Sequence, residues 1–450
     1  MSTPHAGSSG TSSREILALA VPAFFTLVAE PLFLLVDSAV VGRLGVTALA
    51  GLGAASAVLL TASGLFVFLA YGTTSVVARQ IGAGSRRGAL EVGAGGVWLA
   101  VGLGAVVAAV VALWAPLWAS AFGSSPEALH EAVTYLRISA IGLPAMLVVL
   151  AATGILRGLL DTRTPLVVAT VGFTANAVLS IALVHGLGWG IAGAAWGTVI
   201  AQTGMALALV TVILRHARAS GASLRPHPGR VLAAALDGVP LLVRTLALRA
   251  IILLTVAAAA TFGDEPLAAY QVTATVWSAL AFALDAIAIA GQALTGRALG
   301  QGDAEGVRAA TTTMVRWGWW SGAVLGVGLL LLAPVLPALF TTDAGVREAI
   351  TAGLVVVALG QPLAGYVFVV DGVLIGAGDG RWLAGAMVAV LAVYAPVVWV
   401  AREVVPVLGG GGPTAVGVLW VAFTVFMLVR ALFMAWRVHG DRWMVLGATR

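Results

Sequence analysis

Residues 155–166 read ILRGLLDTRTPL, and residues 373–384 read VLIGAGDGRWLA. The two stretches lie 218 positions apart and share Gly158 with Gly376, Asp161 with Asp379 and Arg163 with Arg381. Working outward, the same step carries Pro144 to Pro362, Gly142 to Gly360, Phe122 to Phe340 and Pro116 to Pro334. Further out it carries Gly84 to Gly302, Gly82 to Gly300, Arg79 to Arg297, Leu49 to Leu267, Gly45 to Gly263 and Pro22 to Pro240. Prolines, glycines and loop charges that stay in register across half a chain, with almost no gap, describe one structural unit duplicated.

The composition says where that unit sits. Of the 450 residues, 60% are hydrophobic and 10% charged, far from the roughly 25% charge of a soluble domain. The chain is therefore an integral membrane protein, and a duplicated membrane unit is the mark of a transporter with two lobes. There is no cysteine, which excludes disulfides, thiolate chemistry and Cys-ligated metals. All 24 basic residues are Arg. They are scattered over short loops, which suits a membrane orientation signal and not a nucleic-acid surface. The N-terminal tail, residues 1–14, opens with the polar MSTPHAGSSGTSS. It has the composition of a disordered segment and lacks the charged start and cleavage site of a signal peptide.

A bilayer span needs about 20 apolar residues. Twelve such runs are predicted, at roughly 16–36, 48–77, 92–118, 132–156, 165–184, 190–214, 232–262, 267–296, 311–338, 350–376, 382–401 and 414–436. The fold class is thus an all-α membrane protein with two six-helix lobes, 15–214 and 231–436. The polar linker 215–230 joins them, and a C-terminal tail follows at 437–450. Loops after even-numbered spans, with the two tails, hold 18 arginines, Arg430 among them. The opposite side holds four (Arg43, Arg137, Arg347 and Arg402), while Arg244 and Arg249 lie within span seven. The positive-inside rule places both tails and the linker in the cytoplasm. Because Arg79 and Arg297 then share a side, the two lobes are parallel repeats.

A charge in mid-span costs about 2.5–3.5 kcal/mol on insertion scales and so marks a candidate site. Glu30 and Asp37 lie seven residues apart in span one, on one helix face. Pro22 and Pro31 remove backbone donors along the same helix and make it bendable. Desolvation disfavours the charged form of a buried carboxylate. Such a group can load a proton on one side of the membrane and release it on the other. The bland alternative for Asp37 is a carboxylate capping a helix end. Asn176 and Ser180 stand one turn apart in span five, with Thr198 early in span six. With Asp37 they make a small oxygen cluster suited to a proton relay or, less well, to sodium, although each alone reads as a helix–helix hydrogen bond.

In the second half, Arg249, Asp285, Gln292, Gln361 and Asp371 are the polar groups of a substrate cavity or of a structural network. Arg249 is the expected partner of Asp285 or Asp371. These acids have no acidic copies at Val67 and Thr153, and Glu30 and Asp37 have none at Leu248 and Thr255. The charged loop residues Arg79, Arg297, Asp161, Arg163, Asp379 and Arg381 are expected to fix turns and sidedness. No metal site, catalytic residue or enzyme activity is expected. The six His fall in tails, loops or span ends, and neither H-E-x-x-H nor G-x-S-x-G occurs.

The stretches VPAFFTLVAEPLFLLVDSAVVGRLGVTALAGLG (21–53), ARQIGAGSRRGA (78–89), GILRGLLDTRTPL (154–166), AYQVTATVWSALAFALDAIAIAGQALTGRALGQGD (269–303) and VVDGVLIGAGDGR (369–381) resemble the multidrug and toxic compound extrusion (MATE) family, and within it the DinF branch. The resemblance runs from about Glu15 to Trp436. It implies twelve helices in two lobes set as a V, a monomeric protein of the cell membrane in contact with lipid, and export of amphiphilic, often cationic drugs and dyes against inward protons or sodium. It needs no cofactor beyond that coupling ion, and no nucleic acid. It maps the family's span-one carboxylate onto Asp37, its bending proline onto Pro22, and its first-lobe polar cluster onto Asn176, Ser180 and Thr198. Many relatives carry Asp where this chain has Ser180. Losing that carboxylate weakens a sodium site and favours protons. The acids of the NorM branch in spans seven and eight have no clean match, though Asp371 holds a comparable span-ten place. The alternatives are a sodium-coupled exporter of this family, or a lipid or oligosaccharide flippase of the wider superfamily. The flippase would need more embedded cations for a pyrophosphate than Arg249 supplies.

Overall fold

The computed structural model describes residues 13–121 and 125–449, apart from the side chain of Glu30. Among these residues 12 helices are long and apolar enough to cross a membrane, and there is no strand. They are α1 Ser13–Gly42, α2 Val46–Gly82, α3 Arg86–Leu113, α4 Pro126–Gly158, α5 Arg163–Gly186 and α6 Gly190–Ser220 in the first half. The second half holds α7 Pro228–Ala260, α8 Asp264–Gly300, α9 Ala304–Leu332, α10 Ala344–Gly376, α11 Gly380–Val407 and α12 Gly412–His439. Most run several residues beyond the apolar stretch that signals them, because side chains at a helix end meet water without breaking the backbone ladder. For the same reason the polar linker is largely helical: α6 continues to Ser220 and α7 starts at Pro228.

The chain forms two compact units. Among the described residues, one is Val21–Val239 and the other is Pro240–Ala448 with residues 13–20. The two divisions fall at corresponding places in corresponding helices, next to Pro22 of α1 and Pro240 of α7.

The duplicated loops fold into duplicated turns. After α4, Leu160 takes a left-handed φ of 63° and the Asp161 N–H reaches the Leu156 carbonyl at 2.8 Å. After α10, Gly378 takes φ 71° and the Asp379 N–H reaches the Leu374 carbonyl at 2.9 Å. This is the glycine-favoring end of a helix, with Leu in the strained position of one copy. The acids then diverge. Asp161 accepts from the backbone N–H groups of Arg163 and Thr164, capping α5. Asp379 instead takes a two-pronged ion pair from Arg437 of α12 at 2.6 and 3.2 Å. Asp161 thus fixes its own turn, while Asp379 ties its turn to α12.

Helices α4 and α10 are the hubs of their units: 56% of each apolar window is buried. Gly318 of α9 and Gly365 of α10 let those two backbones meet, since a Cβ on Gly318 would stand 2.6 Å from the Gly365 carbonyl oxygen. In contrast, only 18% of the corresponding window of α1 is buried, the lowest of the spans. The helix with the candidate coupling carboxylate is thus the least tightly packed. The linker, finally, is tied down by Glu91 of α3, which accepts from Arg230 at 2.6 Å and from the Ser223 N–H at 3.2 Å.

Candidate functional site

In the first unit, four predicted residues come together. Asp37, Asn176, Ser180 and Thr198 are all buried, Ser180 completely. The Ser180 hydroxyl lies 3.1 Å from Asp37 Oδ1 and 3.1 Å from Asn176 Oδ1. Asn176 Nδ2 donates to Thr198 Oγ1 at 3.0 Å, and Thr198 donates to the Ala194 carbonyl at 3.1 Å. A chain of hydrogen bonds therefore runs from the α1 carboxylate through α5 to the backbone of α6.

The local geometry follows from three sequence features. Asn176 and Ser180 share a face because they are four residues apart on α5. The last turn of α5, Ala182–Gly186, is π-helical, a wider winding often found beside functional residues. Gly197 of α6 allows the close approach, since a Cβ there would stand 2.9 Å from Ser180 Oγ and 3.1 Å from its nitrogen. Around the polar chain lie the buried apolar residues Val40, Val41, Val184, Ala194 and Ala195. Phe33 of α1 also stacks on Phe173 of α5 at 5.3 Å.

One member was not anticipated. Tyr135 of α4 is buried and donates its hydroxyl to Asp37 Oδ2 at 3.2 Å. Each carboxylate oxygen of Asp37 thus accepts one neutral donor, and no ion pair to it exists among the described residues. The Glu30 side chain lies outside the described residues. Pro22 and Pro31 both sit inside α1, and Thr26 Oγ1 caps the Pro22 carbonyl at 2.9 Å.

The second unit corrects the expected pairing. Asp371 of α10 is buried between Arg244 of α7 and Arg430 of α12; Arg430 lies 2.9 Å away and Arg244 binds through both Nε and Nη2. The expected partner, Arg249, is exposed on α7. Five residues set two side chains about 140° apart around an α-helix, so Arg244 and Arg249 point to different sides. Arg430, counted by sequence as a cytoplasmic-side charge, is buried at 4% exposure. Asp285 is half-buried on α8 and adds its charge to the field around Arg430. Gln292 is buried on α8 and Gln361 is buried on α10.

The repeat step supplies a direct comparison. Asp37 maps onto Thr255 and Asn176 onto Tyr394. These two are buried and hydrogen bonded at 2.7 Å. The second unit therefore holds a neutral image of the first unit's cluster, while its buried acid, Asp371, lies elsewhere and is paired with Arg244 and Arg430.

A family model described as MatE matches residues 22–182 and 240–400, two stretches separated by the repeat step. Protein DETOXIFICATION 44, chloroplastic, of Arabidopsis thaliana is 32% identical over 442 residues, covering 95% of this chain and 82% of that protein. DNA damage-inducible protein F of Escherichia coli (strain K12) is 28% identical over 441 residues, covering 95% of this chain and 93% of that protein. A crystal structure described as MATE in the bent conformation superposes with a TM-score of 0.86 at 21% identity, over 97% of this chain and 98% of that one; the likeness is one of fold.

Proposed function

This chain belongs to the MATE family of membrane transporters, and from that premise we propose that it is a proton-coupled antiporter exporting amphiphilic, often cationic compounds. Its place is the cell membrane, with both tails and the linker in the cytoplasm. The observation that carries the coupling reading is the pairing of Asp37: a buried carboxylate held by two neutral hydroxyls can change its charge state. Asp371 between two guanidiniums cannot do so cheaply, because a buried ion pair stripped of one charge leaves the others uncompensated.

The cycle runs through hydroxyl reorientation. Ser180 has one proton and two acceptors within 3.1 Å. With Asp37 ionised, Ser180 and Tyr135 both donate to it. When Asp37 takes a proton, its new O–H donates to Ser180 Oγ and the Ser180 proton turns to Asn176 Oδ1. The charge that held α1 against α5 is gone, and α1, loosely packed and interrupted by Pro22 and Pro31, is free to bend. Bending expels the substrate outward, and release of the proton inside resets the helix. Sodium is disfavoured because the cluster offers one carboxylate, where a hard cation seeks several charged oxygens. A flippase is disfavoured because the buried arginines Arg244 and Arg430 are already engaged by Asp371.

The test is Asp37→Asn in proteoliposomes under an imposed pH gradient. Dye efflux is expected to vanish while the protein still purifies as a folded species. Persistent gradient-driven export would end the coupling role of Asp37. Wild-type efflux driven by sodium and indifferent to pH would replace the proton.

A further inference from the structure

The linker of the first unit is pinned along its length. Trp98 of α3 donates its ring N–H to the Leu224 carbonyl at 2.9 Å, and Glu91 holds Arg230 and the Ser223 N–H. Arg86, at the start of α3, lies 2.9 Å from His216 of α6. Gly95 lets the end of the linker seat on α3, since a Cβ there would stand 2.7 Å from the Arg230 carbonyl oxygen. Ala222 and Leu224 pack against the buried apolar cluster that includes Leu90, Leu209 and Ile213. The segment is thus a preformed ledge beside α3, and a partner that binds it need not order it first.

The ledge holds more positive charge than the protein neutralises. Arg86, Arg87, Arg215, Arg218, Arg225 and Arg230 come together here, while the acid of residues 80–95 and 212–232 is Glu91 alone. Glu91 pairs with Arg87 and Arg230. Arg215, Arg218 and Arg225 are exposed and form no ion pair among the described residues. Arg163, Arg381 and Arg442 are exposed too, but each stands in a separate loop. An orientation signal counts arginines wherever they stand, so it does not require three free ones on one pinned segment. One repeat step on, these three become Phe433, Trp436 and Trp443: the duplication is broken at each. Arg215 and Arg218 share a face of α6, three residues apart, and Arg225 follows Leu224 at the Trp98 contact. Trp98, Leu207 and Leu214 are exposed apolar neighbours on α3 and α6, and a tryptophan of this kind marks the boundary between membrane and water. Three free guanidiniums therefore stand at the edge of an apolar surface, where a bilayer presents its phosphates.

We infer that Arg215, Arg218 and Arg225 form a binding site for the headgroup of an anionic phospholipid, with Trp98 and Leu214 against its acyl chains. Guanidinium donors match phosphate oxygens in geometry and charge, and basic clusters next to membrane spans hold acidic lipids. An acidic soluble protein would leave the apolar edge unused. The choice of the cytoplasmic leaflet rests on the sidedness proposed above; the binding chemistry does not.

The test is native mass spectrometry of the full chain in detergent. The protein is titrated with palmitoyl-oleoyl phosphatidylglycerol or with palmitoyl-oleoyl phosphatidylcholine, which has the same chains and no net charge. Wild type is expected to hold phosphatidylglycerol about tenfold tighter. Arg215→Gln/Arg218→Gln/Arg225→Gln should bring the two lipids within about twofold of each other and leave phosphatidylcholine binding unchanged. Arg225→Gln alone repeats the measurement if the triple variant fails to fold, with the preference lowered about threefold. Arg163→Gln/Arg381→Gln/Arg442→Gln removes the same charge elsewhere and should keep the full preference. Equal retention of the two lipids by wild type, or an equal loss of preference in that second triple variant, would overturn the site. So would displacement of phosphatidylglycerol by soluble glycerol phosphate or by hexaglutamate. The first would make the ledge a site for free phosphate esters, the second for an acidic protein segment. None of these readouts depends on sidedness, so an outward-facing linker in intact cells would change the leaflet and leave the binding site standing.

Discussion

At the scale of single residues, two buried carboxylates have opposite company. Asp37 accepts from two hydroxyls and Asp371 from two guanidiniums. Removing the acid leaves two buried guanidiniums without their counter-charge, a loss of about 3–5 kcal/mol. Asp371→Asn is therefore expected to lower the thermal unfolding midpoint of the purified protein sharply, with Arg244→Met, which leaves the Asp371–Arg430 pair intact, less damaging. For Asp37 the informative change adds charge: Ser180→Asp places a second carboxylate in the cluster and is expected to make dye efflux respond to a sodium gradient, which wild type should ignore. The first-unit cluster was legible because a polar residue in an apolar span stands out by itself. Tyr135 was not, since a tyrosine in a span reads as packing and its partner lies 98 positions away. Arg430 was hidden by its place near the C-terminal end of α12, where an arginine reads as a sidedness signal, and Arg249 was preferred to Arg244 because composition does not reveal which helix face turns inward.

At the scale of elements, the spans and their repeat were readable because bilayer thickness imposes a length of apolar chain. Their ends were not, because helices run on into water where hydropathy has already fallen; the linker that becomes the last turn of α6 and the first of α7 is the case in point. Close approach of helices is likewise invisible in hydropathy and depends on single glycines. Gly197 is one that matters for the site. Gly197→Ala would press a methyl against Ser180 and separate α5 from α6 at the hydrogen-bond chain. The expected result is loss of pH-driven efflux with only a modest loss of stability, about 1–3 kcal/mol for such overpacking. Efflux at the wild-type rate would show that the chain tolerates the wider spacing.

At the scale of the molecule, duplication produced two units with the same hubs and helix order, and only one has an acid at the proposed coupling position, Asp37 against Thr255. The other keeps Thr255 hydrogen bonded to Tyr394, a pair with no charge to gain or lose near neutral pH. A cycle with a single proton carrier moves one positive charge inward. If the exported compound is a monovalent cation, the exchange is electrically silent. Membrane voltage, worth about 2.3 kcal/mol per charge at 100 mV, then contributes nothing. In proteoliposomes a potassium–valinomycin potential should leave efflux of a singly charged dye unchanged, while efflux of a neutral compound quickens when the interior is negative. Under the proposed proton coupling, the neutral Thr255–Tyr394 pair would make the substrate's own charge decide whether the cell's electrical potential takes part in export.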